Sequence, residues 1–224
     1  MKIQHFLYYG QIGSNRLYKK LKRSFPILTV LFKKKPSNSA IEELRGTTKE
    51  VHEQLHSHAV FAALQNGQID RTEYIKLLLA LYGFHNAFVD VIADSHKRCQ
   101  FLTDDLLFMG IDAERINQAP RMSAPEVANS AERVGIDYVI RGSSLGGRVL
   151  ARKLDALVGR GELNGRRFFM SGGEGNGPQW HGFVEQLELL LPTSIERKVA
   201  AKAAAATFKQ FDTWMTHIVA SRPT

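Results

Sequence analysis

Tyr138-Val-Ile-Arg-Gly-Ser-Ser-Leu-Gly-Gly-Arg-Val-Leu150 decides how the rest of the chain is read. Both flanks carry apolar residues at helical spacing. Val134, Tyr138 and Val139 lead in, and Val149, Leu150, Leu154 and Leu157 lead out. Gly142, Gly146 and Gly147 fall between them. Each glycine in a helix interior costs about 1 kcal/mol relative to alanine. With no proline or turn cluster to end the helix, the spacing predicts one helix from Pro125 or Ala128 to Leu157, bent around these glycines. Three explanations are open. Small residues at four-residue spacing allow two helices to pack closely. A phosphate-binding loop would need Gly-x-x-x-x-Gly-Lys-Ser/Thr after a strand, which is missing. A flat ligand could instead lie against a helix face cleared of side chains.

The 224 residues suffice for one substantial core or two small ones, and 44% are hydrophobic, as in ordinary globular proteins. A single cysteine, Cys99, excludes an internal disulfide and any multi-cysteine metal site, and fits a reducing, cytoplasmic setting. The net charge of +8 is uneven. Nine of the 30 Lys and Arg lie in residues 1–36, which contain no acid, leaving 21 basic against 22 acidic residues in the remainder. The basic excess therefore belongs to an N-terminal extension, and nucleic-acid binding by the folded part is not expected. Within that extension Phe25–Phe32 is too short an apolar run to span a membrane, and a signal-peptide cleavage pattern is missing. Pro36-Ser37-Asn38 marks the start of a domain over 37–224.

From Ser39, whose spacing to Glu42 matches a capping box, Ile41, Leu44, Thr48, Val51 and Leu55 predict a first helix to about residue 57. Arg45 and His52 are two turns apart on one of its faces, and His56 follows one turn later. Asn66-Gly67 predicts a turn. Asp70 or Thr72 caps a long second helix running to about His96, and Leu102–Met109 predicts a short further segment. Trp180 opens a helix through Leu191, and Ser194 caps a last helix through Trp214. No stretch alternates as a strand does, so the fold class is all-α.

Candidate chemistry rests on eight histidines and the carboxylates. His52 and His56 have the i, i+4 spacing of a metal-binding pair. Glu53-x-x-His56 matches half of a di-iron pattern, but a second Glu-x-x-His is missing. His58, His85, His96 and His181 read as structural or exposed.

Two stretches together carry a resemblance. Leu44-Arg-Gly-Thr-Thr-Lys-Glu-Val-His52 resembles the proximal-helix motif of heme oxygenases, and Gly142-Ser-Ser-Leu-Gly-Gly147 resembles their distal helix. The second has the form found in bacterial members, including those associated with bacteriophytochromes. The motifs stand in the family's order, and the resemblance covers about residues 39–218. It implies a multihelical fold with heme between a proximal and a glycine-kinked distal helix. His52 is then the iron ligand, Gly142 and Gly146 form the backbone against the heme, and Arg45 and Tyr138 contact heme propionates. Ser143 stands where many members carry an Asp that organises distal water. The chain departs from the family in three other places. Tyr138 is one residue out of register, His56 replaces a common Glu, and basic residues are missing around Gln179 to Phe183. The implied activity is conversion of heme, both substrate and cofactor, to biliverdin, iron and carbon monoxide. It uses dioxygen and electrons from a ferredoxin or reductase, and the bilin could supply a phytochrome. A heme carrier on the same fold is the alternative. A thiaminase-like enzyme would need an activated cysteine, and Cys99 has no motif around it.

Overall fold

Helix signals in the sequence become eleven helices among the described residues of a computed structural model, which are 39–55, 58–143, 146–161, 163–171 and 176–220. They are α1 (Ala40–Leu55), α2 (Ala59–Asn66), α3 (Arg71–Asn86), α4 (Ala93–Phe108), α5 (Ala113–Asn117), α6 (Ser130–Gly142), α7 (Gly147–Arg152), α8 (Asp155–Val158), α9 (Arg167–Met170), α10 (Asn176–Leu190) and α11 (Ser194–Ala220). No strand occurs among the described residues, so the all-α expectation stands. Residues 1–36, His56, Ser144 and Leu145 lie outside the described residues.

Local chemistry sets most helix ends. Gly67, at φ +68°, closes α2 at the expected Asn66-Gly67 turn. Asp70 caps α3 in a reciprocal box: its carboxylate accepts from Glu73 N at 2.8 Å, and Glu73 accepts from Asp70 N at 3.1 Å. The cap of α11 is Thr193 rather than Ser194. Thr193 Oγ1 accepts from Glu196 N at 3.2 Å, and Glu196 accepts from Thr193 N at 2.9 Å.

Two expected helices prove to be broken. The long helix expected to reach His96 ends at Asn86, and α4 begins at Ala93 and absorbs the segment around Leu102. The bend keeps its backbone paired through short-range bonds, Phe88 N to His85 O and Val91 N to Phe88 O. Its apolar residues Ala87, Phe88 and Ile92 stay buried, so the periodicity carries no sign of it. The helix expected over Pro125–Leu157 begins at Ser130, capped by Asn129, and stops at Gly142. It resumes as α7 and again as α8. The glycines therefore flank a break instead of lying inside a helix, and the helix-interior penalty does not apply.

Packing places the break. The long α11 runs against α1, α6 and α3, and its alanines Ala200, Ala201 and Ala204 are buried where α1 and α6 cross it. One apolar cluster joins Leu44, Val51 and Leu55 of α1 to Val139 of α6, Phe183 and Leu187 of α10, and Phe208 of α11. A second joins α3, α4 and α9 through Tyr74, Leu77, Leu102, Phe168 and Phe169. Buried Asp105 of α4 fixes α9 by accepting from Arg167 N at 2.6 Å and Phe168 N at 2.8 Å. Burial nevertheless pushes its carboxyl up to about 7. Arg166, also buried, donates to Ala151 O at 2.7 Å, to Asp155 and to Gly159 O, which ties α7 and α8 to the chain entering α9. No helix among the described residues is long and apolar enough to cross a membrane.

Candidate heme site between α1 and α6

The described glycines around α6 and α7 divide by what a β-carbon would meet. At Gly135 it would overlap the carbonyl of Ala200 on α11, and at Gly147 the carbonyl of Phe169 on α9. These two permit close backbone approach between helices. At Gly142 a β-carbon would meet only the Trp180 ring, at 3.6 Å, an ordinary contact. At Gly146 it would meet nothing within 4 Å among the described residues, although φ −83° and ψ −10° suit any residue. Packing within the protein thus accounts for two of the glycines and leaves Gly142 and Gly146 unexplained.

This division gives a stability prediction. Overpacking a tight contact costs about 1–3 kcal/mol, so Gly135→Ala and Gly147→Ala should each melt several degrees below the parent in the absence of heme. Circular dichroism melting of the ligand-free proteins checks this, and no loss is expected for Gly142→Ala or Gly146→Ala.

On α1 the candidate residues stand in the expected order. His52 is half-buried, its ring edge-on to Phe208 of α11, with centroids 5.6 Å apart and planes at 83°. Arg45, two turns earlier, is exposed. Between them buried Thr48 donates its hydroxyl to Leu44 O at 2.7 Å and hydrogen-bonds the Tyr138 phenol of α6. Burial raises the Tyr138 phenol, opposed by the bond to Thr48 and by the positive charge of Arg45. Arg45 and Tyr138, far apart in the chain, are therefore near enough for the charge of one to act on the other. Ser143 is exposed, and its hydroxyl donates to Ile140 O at 2.8 Å.

Trp180 of α10 has a part that the sequence reading missed. Its ring lies 5.6 Å from Tyr138 and 5.9 Å from Phe183 and faces Gly142. An aromatic at the start of a helix carries no such signal by itself. Arg141 places its guanidinium 5.2 Å from the Phe183 ring centroid and pairs with Asp137 at 2.8 Å. The expectation for Cys99 is also answered. The thiol is buried, and that burial pushes it up to about 12, which leaves it unreactive and removes the basis of a thiaminase-like reading. His96 and His181 are exposed and His85 is buried, each within the expectation of a structural or exposed residue.

The heme oxygenase family model matches residues 38–217. The chain belongs to the heme oxygenase family. It is 29% identical over 164 residues to a heme oxygenase of Xanthomonas campestris pv. campestris (strain 8004), covering 67% of this chain and 93% of that protein. Its fold is similar to the crystal structure of heme oxygenase-1 from the cyanobacterium Synechocystis sp. PCC6803 in complex with heme. That match has a TM-score of 0.63 and 18% identity, and covers 80% of this chain and 92% of the other.

The residues present suit a heme. A flat macrocycle needs a wall without side chains, which Gly142 and Gly146 give. It also needs aromatic edges, which Trp180 and Phe208 give, and a cation for a carboxylate, which Arg45 gives. Among the described residues no group of three or more His, Cys, Asp or Glu could hold a metal ion on its own.

Proposed function

We propose that this heme oxygenase binds heme with His52 as the axial ligand and with the backbone at Gly142 and Gly146 against the macrocycle. The observation that carries the reading is that, among the described residues, no close backbone approach accounts for these two glycines, beside two others that have one. When bound, heme supplies both the iron that takes up dioxygen and the ring that is oxidised to biliverdin, with iron and carbon monoxide released.

The protein's part is to bind and orient. His52 offers a ring nitrogen from a helix whose adjoining face is buried at Leu44, Thr48, Val51 and Leu55. Arg45 and Tyr138 are the propionate contacts, and the Tyr138–Thr48 bond holds the phenol in place. Gly142 and Gly146 let the macrocycle approach main chain, which restricts the space on that side and directs oxidation onto the ring. Ser143, whose hydroxyl proton is used by Ile140 O, places no strong acid there, and general-acid catalysis would favour O–O cleavage over ring oxidation.

Electrons come from an external ferredoxin or reductase. The Gly-Ser-Ser-Leu-Gly-Gly form of the distal motif supports a bacterial role in supplying bilin to a phytochrome, in the cytoplasm. The test is hemin reconstitution followed by ascorbate- or ferredoxin-driven turnover. A biliverdin absorption band is the expected result, and a persistent heme spectrum under reductant and oxygen would identify a carrier instead. We further read residues 1–36 as an extension separate from the heme-binding domain. Deleting them removes nine basic residues and should leave heme affinity and turnover unchanged in a hemin titration. Loss of heme binding by a folded truncation would assign the extension to the site.

A further inference from the structure

Residues 165–169 form a strip that ties α7 to α3 and α4, and each of them bonds to or packs against another helix. Tyr74 of α3 donates its phenol to Gly165 O at 2.6 Å. Asp105 of α4 accepts from Arg167 N and Phe168 N. Toward α7, Arg166 donates to Ala151 O, and the Phe169 carbonyl closes against Gly147. The strip therefore grips α7 at its first residue and again at Ala151, near its last. Gly146 is joined directly to the first of these points.

Asp105 is the part of the strip's anchorage that sequence and size make necessary. A four-residue helix leaves its first N–H groups without partners of its own, and the two oxygens of Asp105 take the first two in α9. Asp105 is fully buried, so no water can replace it. Only a carboxylate offers two acceptors to adjacent donors, because an amide of the same shape would set its NH2 group against one of them. The two sides of the break also have different supports. Val139 of α6 packs in the apolar cluster of α1, α10 and α11, which carries His52's helix. Ala151 of α7 packs in the cluster that contains Phe168 and Phe169. Asp105 thus acts on the Gly146 side and not on the helix of the iron ligand.

We propose that Asp105 is a positioning residue for heme oxidation. Through residues 165–169 and α7 it fixes the Gly146 main chain at the distance from the macrocycle at which the ring itself is oxidised. The inference rests on the reading that Gly142 and Gly146 face bound heme. It separates two properties that the site combines. Uptake of heme and its histidine ligation belong to α1, whereas the fate of the oxidising chemistry depends on the anchorage of α7.

The test uses the full chain loaded with hemin, in buffer well above the value of about 7 to which burial pushes the Asp105 carboxyl. Asp105→Asn should keep hemin uptake and a histidine-ligated ferric spectrum. Its biliverdin formation should fall by roughly tenfold to a hundredfold, the scale of a displacement approaching 1 Å, while guaiacol oxidation with hydrogen peroxide rises. Thr193→Ala, which removes the cap of α11, is the control for lost stability and should melt lower with the parent's ratio of the two activities. A parent-like ratio in Asp105→Asn, or the same change of ratio in Thr193→Ala, overturns the inference alone. If Asp105→Asn does not fold, hydrogen exchange of the parent decides, because coupling between two sites is reciprocal. Heme seated against Gly146 must then steady the strip in turn. The Arg167 and Phe168 amides should be slowed by hemin by a larger factor than the average amide of the chain, and slowing no greater than average overturns the proposal. A parent chain that takes up no hemin, or holds it without forming biliverdin, overturns the underlying reading and this inference with it.

Discussion

Gly142→Ala and Gly146→Ala proteins are expected to fold, to take up heme, and to lose biliverdin formation. In the ligand-free protein neither change meets an obstacle. Among the described residues a methyl group at Gly146 meets nothing within 4 Å, and one at Gly142 rests against Trp180 at an ordinary distance. Both backbones are helical, so alanine should stabilise the ligand-free chain by about 0.5–1 kcal/mol. At about 2–4 °C per kcal/mol for a chain of this size, the melting temperature rises by a few degrees at most. With heme bound the same methyl groups would occupy the space of the macrocycle. Misplacement by about 1 Å can cost roughly a hundredfold in rate, and a loosened distal side releases oxidising chemistry to outside substrates. Biliverdin yield, guaiacol oxidation with hydrogen peroxide, and melting temperature, measured on each variant, check all three parts. Variants that melt higher and still form biliverdin at the parent rate would reduce these glycines to incidental residues.

His52→Ala should have the second large effect. Losing an outer partner of a metal ligand costs roughly 10–100-fold in affinity or activity, and losing the ligand itself should cost more, leaving turnover at background. The ring contact with Phe208 means that deletion leaves a slot shaped for an imidazole, so added imidazole should restore part of the ferric spectrum. His56→Ala is the control and should keep a histidine-ligated spectrum. The reverse pattern, with the axial signature lost only in His56→Ala, would move the ligand one turn along α1.

Part of the proposed site could be read before the fold was known, because its components are local. The proposed ligand His52 and the cation Arg45 two turns earlier lie on one face of one helix, and helical periodicity fixes faces. What could not be read depends on the approach of distant elements. The sequence predicts one helix through the glycines, whereas the chain breaks there. The reason lies in α9, which presses a main-chain carbonyl against Gly147 and is itself fixed by Asp105 about sixty residues earlier. The bend after Asn86 was hidden because Ala87, Phe88 and Ile92 remain buried through it. Trp180 could not be placed at all, since nothing in its neighbourhood points to Gly142.

The most direct test of the account is a crystal structure of the heme complex, read at two positions. The account predicts iron ligated by His52 and the backbone of Gly142 and Gly146 in van der Waals contact with the opposite face of the macrocycle. A macrocycle held elsewhere, or ligated by His52 with Gly146 still facing solvent, would contradict it.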